Sequence, residues 1–201
     1  MKTDKKIKPL PFPVDFWTVV IIAMAGLADA VYLAISHFRV YTDMGYQSFC
    51  AISKSINCDT VSQSSFSIFL DIPVPIWGVV GYLLFLLLLF HARKAPSDRN
   101  RLWPTLFVIS LGFTIYSIIL AIISVVFVHS YCIMCMASYA VNLMLVFFTW
   151  LTHKRFENRS IVNGIYKDIQ WIYAHMKGGG LFLGGIAAVI LLLMFFIPHY
   201  W

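Results

Sequence analysis

The sequence predicts an all-α integral membrane protein: a four-helix transmembrane bundle plus a fifth transmembrane helix, with a loop and a short amphipathic helix capping the bundle. Three observations carry this expectation. Of 201 residues, 60% are hydrophobic and 12% are charged, about half the charge usual in a soluble domain, and mean hydropathy is +0.81. Apolar runs recur at lengths near the roughly 20 residues that cross a bilayer as a helix. The basic residues gather on alternate loops between those runs.

Residues 1–14 form a basic, proline-containing tail suited to the membrane surface. The first apolar run, 15–40, is too long for a signal-peptide core and has no small-residue cleavage site behind it, which predicts a retained span. Residues 41–75 are too long for a simple connection and so read as a functional loop. Within it, Ser62–Leu70 mixes hydroxyls with Phe66, Ile68, Phe69 and Leu70, and reads as a short amphipathic piece roofing the bundle. Pro73 and Pro75 stop any helix before the second span, 76–91. A short turn around Pro96 leads to the third span, 102–129, and the fourth occupies 132–152. The four-helix bundle is thus expected over 15–152. Residues 153–179 are a polar linker, expected to lie as an amphipathic helix on the cytoplasmic surface, and 180–201 carry the fifth span.

Lys2, Lys5, Lys6 and Lys8 precede the first span. Arg93, Lys94, Arg99 and Arg101 lie between the second and third, and Lys154, Arg155, Arg159, Lys167 and Lys177 between the fourth and fifth. Only Arg39 and Lys54 remain for the other side. The positive-inside rule therefore predicts a multi-pass membrane protein with a cytoplasmic N-terminus, and places 41–75 and 129–131 on the outer side. A nucleic-acid partner is excluded, because the net charge of +6 resides in juxtamembrane clusters rather than in a groove-reading fold. The bilayer is the expected surrounding.

The four cysteines form two pairs, Cys50 with Cys58 and Cys132 with Cys135. The predicted topology puts both pairs on the oxidising side, where disulfides persist. Cys132-Ile-Met-Cys135 opens the fourth span, where the helix N-terminus favours a thiolate. Two intervening residues let the thiols close a small, easily reopened ring. Haem attachment needs a histidine where Met136 stands. A zinc site needs knuckle spacing, which Cys50 and Cys58 lack, so no metal is expected. Cys50 and Cys58 alone read either as a structural staple or as a shuttle feeding the second pair. A membrane scaffold with purely structural disulfides is the alternative.

Asp29 is an ionisable residue inside the first span, readable as a proton relay or as a carboxylate hydrogen-bonded within the bundle. His37 and His129 read as interface histidines. Ser110, Ser117 and Ser124 repeat every seven residues and read as a helix-packing stripe. Trp77, Trp103 and Trp150 near span ends read as an aromatic belt.

Cys50…Cys58-Asp-Thr-Val-Ser-Gln-Ser64, then Ile72-Pro-Val-Pro-Ile-Trp-Gly78…Gly81-Tyr82, then Cys132-Ile-Met-Cys135, resembles the vitamin K epoxide reductase (VKOR) family, bacterial branch. Gly26-Leu-Ala-Asp-Ala-Val-Tyr32 and His37 extend the likeness, which covers residues up to about 152. DsbB-type oxidases carry the two cysteine pairs in the reverse order. The resemblance implies four helices around a quinone (ubiquinone or menaquinone) under a lid bearing the loop cysteines. It also implies reoxidation of a periplasmic thioredoxin-like (DsbA-like) protein, with its electrons passed to the quinone. On that likeness Cys135 faces the quinone and Cys132 exchanges with Cys58, while Cys50 turns toward the partner protein. Ser64 and Tyr139 match a hydroxyl near the active site and a pocket tyrosine. Val74 stands where vertebrate enzymes place a quinone-binding asparagine, so that contact is expected to be absent. No fused thioredoxin-like domain follows the fifth span, so the partner is expected in trans.

Overall fold

A computed structural model of the chain describes residues 12–94, 102–156 and 161–175. The expected fifth span and the tail up to Pro11 lie outside these residues. Among the described residues, four helices are long and apolar enough to cross a bilayer: α1 (Phe12–Thr42), α3 (Val74–Lys94), α4 (Trp103–Ile123) and α5 (Ile133–Phe156). A one-turn helix, α2 (Cys58–Ser62), lies in the loop after α1, and α6 (Ile161–His175) follows α5.

Around the bundle the order is α1, α3, α4, α5, with α5 closing the ring on α1. Chain reversal at each connection puts the α1 C-terminus, the α3 N-terminus and the α4–α5 turn at one end with all four cysteines. Arg93, Lys154 and Arg155 lie at the opposite end, as their places near the helix ends require. There Asp15 is buried and bonded to Arg155 at 3.2 Å, and Arg93 lies over the rings of Phe16 and Trp17. Both contacts tie down charges that bare hydrocarbon would reject.

The basic half is packed solid. Val19, Ala23, Phe85, Leu89, Leu106 and Leu145 meet there with no exposed surface. Trp103 is also fully buried, edge-on to Phe12. This corrects its assignment to an interfacial belt: α4 begins at Trp103, so the indole turns into the bundle. Trp150 does face outward.

The cysteine half is held open by polar contacts. Gly26 has no side chain to obstruct Tyr82, and a Cβ there would fall 2.3 Å from the ring. Tyr82 donates to Asn142 Oδ1 at 2.7 Å, Asn142 donates to Ser117 Oγ at 2.8 Å, and Thr114 donates to the Asn142 carbonyl at 3.1 Å. These bonds join α3, α4 and α5 at mid-bundle. Of the serine stripe, Ser110 pairs with Thr149 and Ser117 with Asn142 across the α4–α5 seam. Ser124 instead binds the Ser130 carbonyl at the end of its own helix.

Two features depart from the expected elements. The roofing segment is not one amphipathic helix. It is α2, a 3-10 turn (Ser65–Ser67) and a hairpin of β1 (Ile68–Phe69) and β2 (Ile72–Pro73). Leu70 and Asp71 at its tip have φ of 53° and 56°, the sign a two-residue mirror turn needs. Pro75 does not end a helix but sits in the first turn of α3, where its missing N–H has no intrahelical partner to lose. The linker, by contrast, holds the expected helix: α6 seats Gly164 on Pro104 and Asp168 on Thr105 at 2.6 Å.

Gly26→Ala tests the central packing. Displacing Tyr82 should lower stability by about 1–3 kcal/mol, read as an earlier thermal unfolding transition in detergent. An unchanged transition would contradict the close approach of α1 and Tyr82.

Candidate functional site

The site is built by two turns that meet. At the end of α4, Ser124–Val128 widen into a π turn, and His129 closes it at φ 56°. Such a turn re-aims the chain at a helix end. It is why His129 points outward and serves geometry here. Ser130 and Tyr131 then run alongside the cysteine loop. Asn57 N–H donates to the Tyr131 carbonyl at 2.9 Å, and Tyr131 N–H donates to the Ser55 carbonyl at 2.8 Å. Ser130 Oγ adds a bond to the Asn57 carbonyl at 3.3 Å. The residues that follow each strand of this contact are Cys58 and Cys132.

Cys50 and Cys58 form a disulfide, whereas Cys132 and Cys135 are free thiols. Asn57 caps α2, accepting the N–H groups of Asp59 and Thr60 at 2.9 and 3.1 Å. Asp59 reaches back to Ser48 N–H at 3.1 Å, which holds the Cys50 arm beside the Cys58 arm. Cys50, Cys58 and Cys132 pack as one buried cluster with Leu33, Val61, Ile133 and Cys135 around it. Cys50 is fully buried. This corrects the expectation that it turns toward a partner: the disulfide rests on Cys132, so both its sulfurs face inward. Phe49 and Ile52 are the exposed neighbours.

Cys132 precedes the first residue of α5, and its sulfur accepts the Cys135 N–H at 3.1 Å. That is the N-cap bond a serine would make, here formed by sulfur. The hydrogen bond from the Cys135 thiol, helped by that N–H, holds the Cys132 thiol below the ordinary cysteine range, against the opposing effect of burial. Cys132 is therefore the nucleophile-ready sulfur of the pair.

Cys135 lies one turn on and lines a cavity of about 360 Å³ inside the cysteine half of the bundle. Its α5 wall is Cys135, Ser138, Tyr139 and Asn142, spaced i, i+3, i+4 and i+7 on one helical face. Ala30, Leu33 and His37 form the α1 wall, and Val74, Trp77, Gly78 and Tyr82 the α3 wall. Tyr116, Ser117 and Leu120 come from α4, and Ser64, Phe66 and Phe69 roof it. Val74 supplies an apolar wall at the position where the resemblance anticipated no polar contact.

The roof is pinned from three helices. Trp77 Nε1 donates to the Phe69 carbonyl at 2.9 Å, and Phe66 packs on Phe127. His37, fully buried, bonds Ser67 Oγ at 3.3 Å. Ser67 spends its one hydroxyl hydrogen on the Ser64 carbonyl, so His37 Nε2 must donate. Ser64 likewise gives its hydrogen to the Val61 carbonyl at 2.7 Å. As placed, Ser64 structures the roof and offers the cavity only an acceptor. Tyr139 differs: its hydroxyl has no hydrogen-bond partner among the described residues and can donate into the cavity.

Of the residues singled out in the sequence, Cys135, Ser64 and Tyr139 line the cavity, and Cys50, Cys58 and Cys132 pack together beside it. Sequence reasoning did not join Asp29 to Ser138, or Tyr82 to Asn142. The signal for Ser138 and Asn142 was present as one face of α5 continuing from Cys135. The Asp29 and Tyr82 contacts depend on cross-bundle distances that no local spacing encodes.

The chemistry suited to this arrangement is short-range thiol–disulfide exchange beside a mostly apolar, partly open chamber. Residues 17–150 match the family model described as the vitamin K epoxide reductase family. No curated protein matches the chain.

Cys135→Ala removes the donor that favours the Cys132 thiolate. In reduced protein, the pH midpoint for alkylation of Cys132 should rise toward that of an ordinary cysteine, leaving less thiolate at neutral pH. A midpoint that stays put would contradict the hydrogen bond as its cause.

Proposed function

This chain belongs to the vitamin K epoxide reductase family, and from that premise we propose that it reoxidises a thioredoxin-fold protein and passes the electrons to a membrane quinone. Membership makes it an integral membrane oxidoreductase of the quinone-linked thiol type. The finer reading rests on one observation: Cys132 is buried against the loop disulfide, while Cys135, one turn away, lines the cavity.

A thiolate of the partner attacks the Cys50–Cys58 disulfide, and its second thiol resolves the mixed disulfide, leaving Cys50 and Cys58 as thiols and the partner oxidised. Because Cys50 is buried, the loop arm from Asp43 to Ser53 has to move for this attack, while Ser55–Asn57 stay paired with Tyr131. Cys58 Sγ then attacks Cys132 Sγ of a Cys132–Cys135 disulfide and the electron pair leaves on Cys135. Attack by Cys50 on Cys58 frees Cys132. The result is a loop disulfide and two free thiols, the same pairing found in the structure.

The chamber suits a quinone head: it is mostly apolar, lies within the usual volume range of small-ligand sites, and presents the free Tyr139 hydroxyl beside Cys135. A quinone bound there accepts two electrons and two protons and restores the Cys132–Cys135 disulfide. Tyr139 would orient it by donating a hydrogen bond, Val74 and Trp77 would bound it, and the pinned roof would exclude water. Ubiquinone and menaquinone share this chemistry. The basic cluster at the far end of the bundle supports a periplasmic placement of the cysteines in the plasma membrane.

Purified protein mixed with reduced thioredoxin-fold partner and quinone should form quinol, and Cys135→Ala should abolish it. In the Cys50→Ala/Cys135→Ala double variant, a Cys58–Cys132 disulfide should accumulate on non-reducing gels and in peptide mass spectra. Scaffold disulfides would give no such cross-link, and its absence from a well-folded variant would contradict the relay.

A further inference from the structure

The relay leaves one buried acid unused. Asp15 is paired with Arg155 and Asp168 with Thr105. Asp29, on α1, is 9% exposed, and its Oδ2 accepts a short hydrogen bond from the Ser138 hydroxyl. Its Oδ1 is buried with no hydrogen-bond partner, and no cation pairs with it among the described residues. A buried unsatisfied oxygen of this kind costs about 1–3 kcal/mol, and acids within membrane spans are rare for that reason.

Its surroundings give the carboxylate something to act on. Ser138 lies one turn beyond Cys135 and lines the same cavity. The titratable groups close enough to feel the Asp29 charge are Cys132 and Cys135 from the α5 end and Tyr82 from α3. His37, from the same helix as Asp29, lines the cavity at its roof. A hydrogen bond to Ser138 alone would be met as well by a neutral amide. What a carboxylate adds, beside two thiols that must lose their protons, is the capacity to take one up.

We propose that Asp29 is the proton-relay residue of the Cys132–Cys135 couple, acting through Ser138. The inference rests on the quinone-linked reading above. Oxidation of the couple breaks two S–H bonds and forms one S–S bond, so two electrons and two protons leave. The Cys135 S–H turns from Cys132 toward Ser138, and its proton passes to Ser138 Oγ as the Ser138 hydroxyl proton moves to Asp29 Oδ2, along the direction in which that hydrogen bond already points. The reverse shift returns this proton to the acceptor in the cavity. The Cys132 thiol supplies the second proton, so the acceptor gains two of each and Asp29 ends unchanged. Asp29 touches neither the acceptor nor a sulfur in a bond of its own, so its role is positional and proton-conducting.

Three variants test this with two readouts. In Asp29→Asn, reduction of quinone by the pre-reduced protein should slow by roughly a hundredfold, the scale of a lost proton-transfer group, and Asp29→Glu should restore most of it. In quinone-free protein, removing the charge beside Cys132 should move its iodoacetamide alkylation midpoint to lower pH, and Asp29→Glu should move it back. Ser138→Ala keeps the charge. It should therefore slow quinone reduction without moving the alkylation midpoint. A wild-type rate in Asp29→Asn, or faster alkylation by the same factor at every pH, would overturn the proposal, since the latter reports only a loosened bundle. If Asp29→Asn fails to assemble, a wild-type rate in Ser138→Ala overturns it equally. Wild-type protein that reduces no quinone overturns both this proposal and the function it rests on. Quinone reduction by wild type at the same rate as Asp29→Asn overturns this one alone.

Discussion

The site depends on one contact, the pairing of backbone at Ser55–Asn57 with Tyr131. Two backbone hydrogen bonds there join segments more than seventy residues apart in the chain. Each segment continues directly into a cysteine, so the bonds set where the Cys58 and Cys132 sulfurs meet. Thiol–disulfide exchange needs a sulfur within bonding reach of a disulfide, and a loop free in solution would provide that only rarely. Tethering the loop makes the encounter intramolecular, which is where much of the rate in such reactions arises. The π turn at Ser124–Val128 and the left-handed His129 exist, in this view, to deliver Tyr131 to that contact.

Below the contact, the bundle separates two tasks by packing. Its basic half is filled by apolar side chains that leave no room for a ligand. Its cysteine half is spanned by hydroxyl and amide groups that satisfy one another and leave a chamber. Tyr82 sits on the boundary, allowed there by the bare backbone of Gly26. Because the polar groups lie on inward faces and Ile118, Ile122, Leu143 and Phe147 lie outside, the same helices present hydrocarbon to lipid and chemistry to the interior. A hydrophobic exterior gives no preference for one helix over another in a bilayer. The cross-helix hydrogen bonds at Ser110, Ser117 and Asn142 can supply that preference.

Much of this was legible in the sequence because it follows from one-dimensional rules. Apolar length set four helices to within a few residues. Alternate basic loops set which ends lie together, and that grouped the four cysteines. Cys-Ile-Met-Cys at a helix start placed the second pair at the head of α5. The rest depends on contacts between distant segments. Asp29 finds Ser138 across the bundle, His37 finds Ser67, and Trp103 turns inward because α4 starts at that residue. The roof was misjudged for a different reason: Ser62–Leu70 has the composition of an interfacial helix, but positive φ at Leu70 and Asp71 folds it into a hairpin. The burial of Cys50 was hidden too, since a loop cysteine reads as exposed until its disulfide is seen resting on a third sulfur.

The proposed relay, from loop disulfide through Cys132 and Cys135 to the chamber, requires a fixed order of electron flow. Anaerobic single-turnover oxidation of the fully reduced, four-thiol protein by quinone, quenched with acid and mapped by mass spectrometry, measures that order. The Cys132–Cys135 disulfide should form first, matched by one quinol per protein, and the Cys50–Cys58 disulfide should follow with a second. Formation of the loop disulfide first, or simultaneous loss of all four thiols at one rate, would contradict a relay that runs through Cys132.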